Sequence, residues 1–265
     1  MRLAGVNIRL ARSSSHHFST SSWDVLSVRE LYSSQFQINI PLLVDFTESN
    51  LVKGEETFEG RSLHYIDKTG RITNPYQTVI SAIARVFELF DDDDSIPAFG
   101  YGGYPERPIA ERYFSFVEGQ GCELDEVLQR YFAIASTMEL NSSASFVPVI
   151  YEAIKMAKMS CRYHILIIIS DGHVDDPVMA RRAIVEASEY PLSIVMIGVG
   201  DGPWTLMNEF DDGLSERRFD NFQFVNYNTI PKGVLDNPDG GFAMQALMEI
   251  PDQYNQIRKL GLMRK

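Results

Sequence analysis

Cysteine is scarce in this chain. Two residues, Cys122 and Cys161, in 265 are too few for a disulfide framework or a cysteine-built zinc site. A reducing compartment, the cytoplasm, is the simplest expectation. Basic residues are outnumbered: 24 Lys and Arg against 36 Asp and Glu give a net charge of -12. No basic patch dominates, so nucleic acid and anionic membrane surfaces are not expected partners. Long hydrophobic runs are missing too. The longest, His164 to Ser170, falls far short of the roughly 20 residues that span a bilayer, so membrane association would be indirect at most. Acids are absent before Asp24, where Arg2, Arg9, Arg12 and many serines stand. That composition suits an organelle presequence or a disordered tail; residues 1–30 are expected to be a tail and 31–262 one domain.

What is present suffices for a core: 45% apolar residues, 11% aromatic. Strand-like and helix-like segments alternate. Ile38–Phe46, Ile96–Gly103, Tyr113–Phe116, Tyr163–Ser170, Leu192–Gly198 and Phe222–Tyr227 read as strands. Pro75–Phe90, Glu123–Met138, Phe146–Ser160, Pro177–Glu189, a short segment near Trp204 and Phe242–Lys259 (interrupted near Pro251) read as helices. Pro41 cannot donate a ladder hydrogen bond, so the first strand is expected mainly from Leu42. Nearly continuous apolar strands between helices predict an α/β fold: a doubly wound, mostly parallel sheet with helices on both faces.

In such sheets ligands bind beyond the carboxyl ends of strands. Two acids stand at such ends, Asp45 after PLLV and Asp171 after ILIIIS, and the loop Leu140–Phe146 precedes a helix. Asp45, Thr47 and Ser49 alternate in DFTESN. Carboxylates and hydroxyls without imidazole or thiolate select a hard divalent cation, Mg2+ before Mn2+ or Ca2+. The same residue types also cap helices, so the pattern alone is weak. Glu48 and Asn50 are expected to face solvent, His173 to sit at the rim, and His64 and His164 to be packed or hydrogen-bonded. Asp91–Ser95 lacks the spacing of a calcium loop, and Gly100–Pro108 lacks the lysine of a phosphate loop. No G-x-S-x-G is present.

DFTESN, EGRSLHYI, NPYQTVISAI, IPAFGYGG, SDGHV, PLSIVMIGVGDGPW and EFDDGLSERRFDNFQFVNY together resemble the copine-type von Willebrand factor A domain, over about Leu31 to Leu262. The form found in plant RING domain ubiquitin ligases looks most similar. The resemblance implies a Rossmann-like fold with a metal-ion-dependent adhesion site, MIDAS, formed by Asp45, Thr47, Ser49 and Asp171. It implies a protein-interaction module that grips a partner's carboxylate through the cation, and no enzymatic activity. Where the family offers a threonine in its middle loop, this chain has Ala144; Ser143 and Ser145 flank it as substitutes. A metal-independent scaffold with a degenerate site is the alternative. An enzyme of the D-x-D phosphohydrolase kind is disfavoured, because Thr47 replaces the second aspartate. Copines carry lipid-binding C2 modules before this domain, and the plant ligases a RING after it. Neither is expected within this chain, whose two Cys and five His are too few for a RING.

Overall fold

The computed structural model describes residues 38–87, 96–104, 108, 113–117, 121, 123–140, 142–160, 162–229, 242 and 245–263. Cys122, Cys161, the 91–95 acidic run and part of the glycine-rich 100–108 segment lie outside them. The strands are β1 (Ile38–Asn39), β2 (Leu42–Phe46), β3 (Ala98–Gly102), β4 (Tyr113–Ser115), β5 (Tyr163–Ser170), β6 (Leu192–Gly198) and β7 (Phe222–Asn226). The helices are α1 (Pro75–Phe87), α2 (Leu124–Ala135), α3 (Val147–Ser160), α4 (Pro177–Ala187), α5 (Thr205–Asp212) and α6 (Ile250–Lys259).

One sheet runs in the order β4-β3-β2-β5-β6-β7, with β1 paired to β5. All pairs are parallel except β3 with β4. Pro41 splits the first apolar run in two. It has no N–H to give, but its carbonyl accepts the N–H of Ile167 at 2.9 Å, so pairing to β5 continues across the break.

Period-two alternation divides the strands between two cores. Ile165, Ile167, Ile169, Val195 and Ile197 face one side with Tyr76, Val79 and Ile80 of α1, Val127 and Tyr131 of α2, and Ile257 of α6. Leu166, Ile168, Ile194 and Met196 face the other with Ile150 and Ile154 of α3, Ala183 and Ile184 of α4, and Phe210 of α5. All eight residues of β5 are buried, which is why this strand reads as an unbroken apolar run rather than an alternating one. Truncating one of its isoleucines, as in Ile168→Ala, is expected to cost about 2–5 kcal/mol.

From β2 the chain steps outward to β3 and β4, then returns to the far side of β2 and continues through β5, β6 and β7. The strand order therefore reverses between β2 and β5, and the carboxyl edge at that point is where such sheets place their ligands.

Candidate functional site

Asp45 is the fourth residue of β2, and Asp171 directly follows β5. The two strands are paired, Val44 opposite Ile169, so both acids stand at the switch point. Their exposures are 0% and 1%, and neither forms an ion pair among the described residues.

Hydroxyls converge on Asp45. Its Oδ1 accepts the Thr47 N–H at 2.8 Å and the Thr47 hydroxyl at 2.6 Å, and its Oδ2 accepts the Ser170 hydroxyl at 2.6 Å. Tyr101 in turn donates to Ser170 at 3.2 Å. Because Thr47 gives its proton to Asp45, the 3.0 Å contact with Ser49 has Ser49 as donor, which leaves the Ser49 lone pairs unused. Burial is the larger influence on Asp45, followed by repulsion from Asp171; together they push its pKa up to about 6 against the opposing hydrogen bonds.

Among the described residues two polar atoms near this edge are buried without a hydrogen-bond partner, Oδ2 of Asp171 and Oγ of Ser142. Each such atom costs about 1–3 kcal/mol when nothing satisfies it. The other Asp171 oxygen accepts the His173 N–H at 2.9 Å. The middle loop is joined to the first by the Glu48 N–H, which donates to the Ser142 carbonyl at 3.0 Å.

Below the loop lies an aromatic floor. His64 is stacked between Phe46 and Tyr76, with ring centroids 4.6 and 4.1 Å away. Its Nε2 stands 2.6 Å from the Asp45 carbonyl and its Nδ1 2.9 Å from the Tyr131 hydroxyl. A carbonyl only accepts, so Nε2 carries the proton and Nδ1 accepts from Tyr131. Burial lowers the His64 pKa to about 3, which keeps the ring neutral. Tyr76 donates to Asn50 at 2.7 Å, and the Asn50 amide donates to the Thr47 carbonyl at 3.2 Å.

The structure brings Asp45, Thr47, Ser49 and Asp171 to one edge. It corrects the expectation for Asn50, which is fully buried because its amide braces the Thr47 loop; Glu48 is exposed. Ser145 is occupied: its hydroxyl accepts the N–H of Val147, the first residue of α3, at 3.1 Å. Ser143 is exposed. Ala144 is buried in the apolar cluster that includes Tyr101 and Phe146. His173 lies half-exposed at the rim with Nε2 3.1 Å from Asp175. The cap of α4 is Asp176, whose side chain accepts the Met179 N–H, so Asp171 is spared that task. Sequence reasoning missed Ser142; its only signal was a place in a serine-rich loop.

The shape of the edge depends on close backbone approach. Gly102 has φ +95°, and a Cβ there would lie 2.7 Å from the Phe46 carbonyl and 2.8 Å from the Thr47 nitrogen. Across the rim, the Lys53 ammonium donates to the Gly202 carbonyl at 2.7 Å, and the Thr57 hydroxyl donates to Asp201 at 2.6 Å. The loop after β2 is thus stitched to the loop after β6. Among the described residues no three His, Cys, Asp or Glu side chains are grouped to hold a metal ion. The donor set is instead two carboxylates with several hydroxyls, including one unsatisfied carboxylate oxygen. That chemistry fits a hard divalent cation.

Fold and strand-end acids define a Rossmann-like domain of the von Willebrand factor A type. Residues 62–265 match the family model described as Copine, and the chain belongs to the copine family. It is 44% identical over 231 residues to Copine family protein 2 of Caenorhabditis elegans, covering 85% of this chain and 3% of that one. It is 42% identical over 263 residues to E3 ubiquitin-protein ligase RGLG3 of Arabidopsis thaliana, covering 92% of this chain and 69% of that one. The chain spans 20% of the length of another nematode relative, Copine family protein 1, at 42% identity. Among solved structures, manganese-loaded Plasmodium vivax TRAP protein overlays with a TM-score of 0.49 at 14% identity, covering 72% of this chain and 69% of that one.

Proposed function

We propose that this domain is a protein-interaction module that binds a divalent cation, Mg2+ first, through Asp45, Thr47, Ser49 and Asp171, and is not itself an enzyme. The observation that supports it most is the pair of buried strand-end carboxylates ringed by hydroxyl groups and paired with no cationic side chain among the described residues. Two buried negative charges repel and are poorly solvated, and a divalent ion offsets both costs. With two hydroxyls among four ligands, the bound ion would keep net positive charge and accept a carboxylate from a partner protein. Thr47 and Ser49 orient the donor oxygens, and the His64–Tyr76–Asn50 floor fixes the loop that carries them.

The test is calorimetric titration of chelator-treated protein with Mg2+, Mn2+ and Ca2+. Binding is expected in the wild type and should vanish in Asp45→Ala. An unchanged affinity in that variant removes the assignment, and no heat with any ion leaves the second reading, a metal-independent scaffold. That reading is favoured by Ala144, which offers no oxygen and is buried among apolar side chains. In either reading the domain would serve as the partner-binding element of a copine-like or ubiquitin-ligase system.

A further inference from the structure

We infer that Ser142 supplies the middle loop's oxygen to the cation site, in place of the hydroxyl missing at position 144; this rests on the cation reading above. Four residues of that loop compete for the role. Ala144 has no donor atom and is packed in the apolar core. Ser145 already accepts the Val147 N–H at 3.1 Å. Ser143 is exposed. Ser142 is 4% exposed, and its hydroxyl has no hydrogen-bond partner among the described residues.

Two further observations point the same way. The Ser142 carbonyl accepts the Glu48 N–H at 3.0 Å, which ties this residue to the loop carrying Thr47 and Ser49. Of the other buried oxygens without a hydrogen-bond partner among the described residues, Oδ2 of Asp171 stands at the end of the strand beside β2. Buried polar atoms in folded proteins are nearly always satisfied. Two orphans on loops of one carboxyl edge, one charged and one neutral, call for an electrophile shared between them. A hard cation meets that need, since hydroxyl and carboxylate oxygens are its preferred donors. The loop thus offers a hydroxyl two residues before Ala144, which has none.

The 265-residue chain, stripped with chelator, is titrated with Mn2+ by calorimetry, and thermal unfolding is followed with and without the ion. Water proton relaxation by bound Mn2+ reads the number of coordinated waters. In Ser142→Ala the metal-free unfolding temperature should hold or rise, because an unsatisfied hydroxyl is removed. Mn2+ affinity should fall at least about tenfold, and relaxation should increase as water takes the vacated place. Ser145→Ala should lower the metal-free unfolding temperature while leaving Mn2+ affinity within about twofold of wild type, on the same ligand argument. Wild-type Mn2+ affinity in Ser142→Ala overturns the inference and leaves the cation reading intact. Absence of binding to the wild type overturns both. Ser142→Cys gives an independent readout if the alanine variant does not fold. A thiol is a poor ligand for Mn2+ and a good one for soft Cd2+, so affinity should move from Mn2+ toward Cd2+ relative to wild type. Unchanged preference between the two ions overturns the inference.

Discussion

Two groups of acids are withdrawn from water in this domain, and they are treated differently. At the carboxyl edge Asp45 and Asp171 are fully buried, with hydroxyls and backbone N–H groups as partners. Between α5, β7 and α6, Asp211 and Glu249 are partly buried and Asp220 is half-exposed; burial is the largest cause raising each pKa, with Glu249 next for Asp211 and Asp220 next for Glu249. That second group holds a resident cation. Arg217, 6% exposed, pairs with Asp220 at 2.7 Å and also donates to the carbonyls of Phe210, Leu214 and Asp211. Where negative charge has only to be endured, the chain supplies its own arginine; at the switch point it supplies none among the described residues. A built-in guanidinium neutralises permanently, whereas hydroxyls leave the charge available to something that arrives.

Removing the resident cation is expected to give the largest effect. Arg217→Ala leaves three carbonyls without their donor, while the loss of the solvent-screened pair with Asp220 adds little; it should destabilise by about 3 kcal/mol, read as a shift in the denaturant midpoint at constant slope. Supplying the absent cation should do the reverse at the other group. Mg2+ or Mn2+ at a hundredfold its Kd should add about 2.7 kcal/mol, and the gain should disappear in Asp45→Ala. A stabilisation of equal size in both proteins would erase the contrast. Gly102→Ala comes next, with an expected cost of about 1–3 kcal/mol from the strained backbone conformation. It should also weaken cation affinity, because the added Cβ presses on the Phe46–Thr47 peptide; stability lost with affinity kept would separate loop shape from ion binding.

The smallest effect is a pH dependence. The Asp211 pKa is raised from 3.8 to about 7, by burial first and then by Glu249. A folded-state value above the unfolded one means that the folded protein holds the extra proton. The Asp211 contribution is therefore complete below about pH 4 and is lost as the pH rises through about 7. Asp211→Asn should flatten that part of the stability profile and stabilise at pH 8 by at most about 1 kcal/mol, given the solvent around the group. A profile of unchanged slope in the variant would show that the charge at 211 is already neutralised.

Much of this was legible in the sequence where interactions are local. The bounds of β5 and β6 coincide with the expected Tyr163–Ser170 and Leu192–Gly198, because buried parallel strands write themselves as unbroken β-branched runs. Asp45, Thr47 and Ser49 were legible because alternate residues past a strand end fall within one loop, and Asp171 because an SDG turn closes the longest strand. Helix ends were less so: Glu123–Met138 and Pro177–Glu189 shorten to Leu124–Ala135 and Pro177–Ala187, since apolar spacing continues past the last helical hydrogen bond. Asn50 reads as a polar loop residue, and only the arrival of Tyr76 from α1 gives it a reason to be buried. Ser142 is one serine among three, and its isolation is a property of the packed loop. The Arg217 cluster joins residues from 211 to 249, a separation that no local pattern reports.

His64 sets a limit on how this edge can respond to its surroundings. Held between two rings and bonded at both nitrogens, it stays uncharged until the pH approaches about 3. His64 is therefore a fixed strut and no sensor. Acidity reaching this end of the molecule protonates Asp45 first, near pH 6, and β2 keeps its anchorage while that carboxylate titrates.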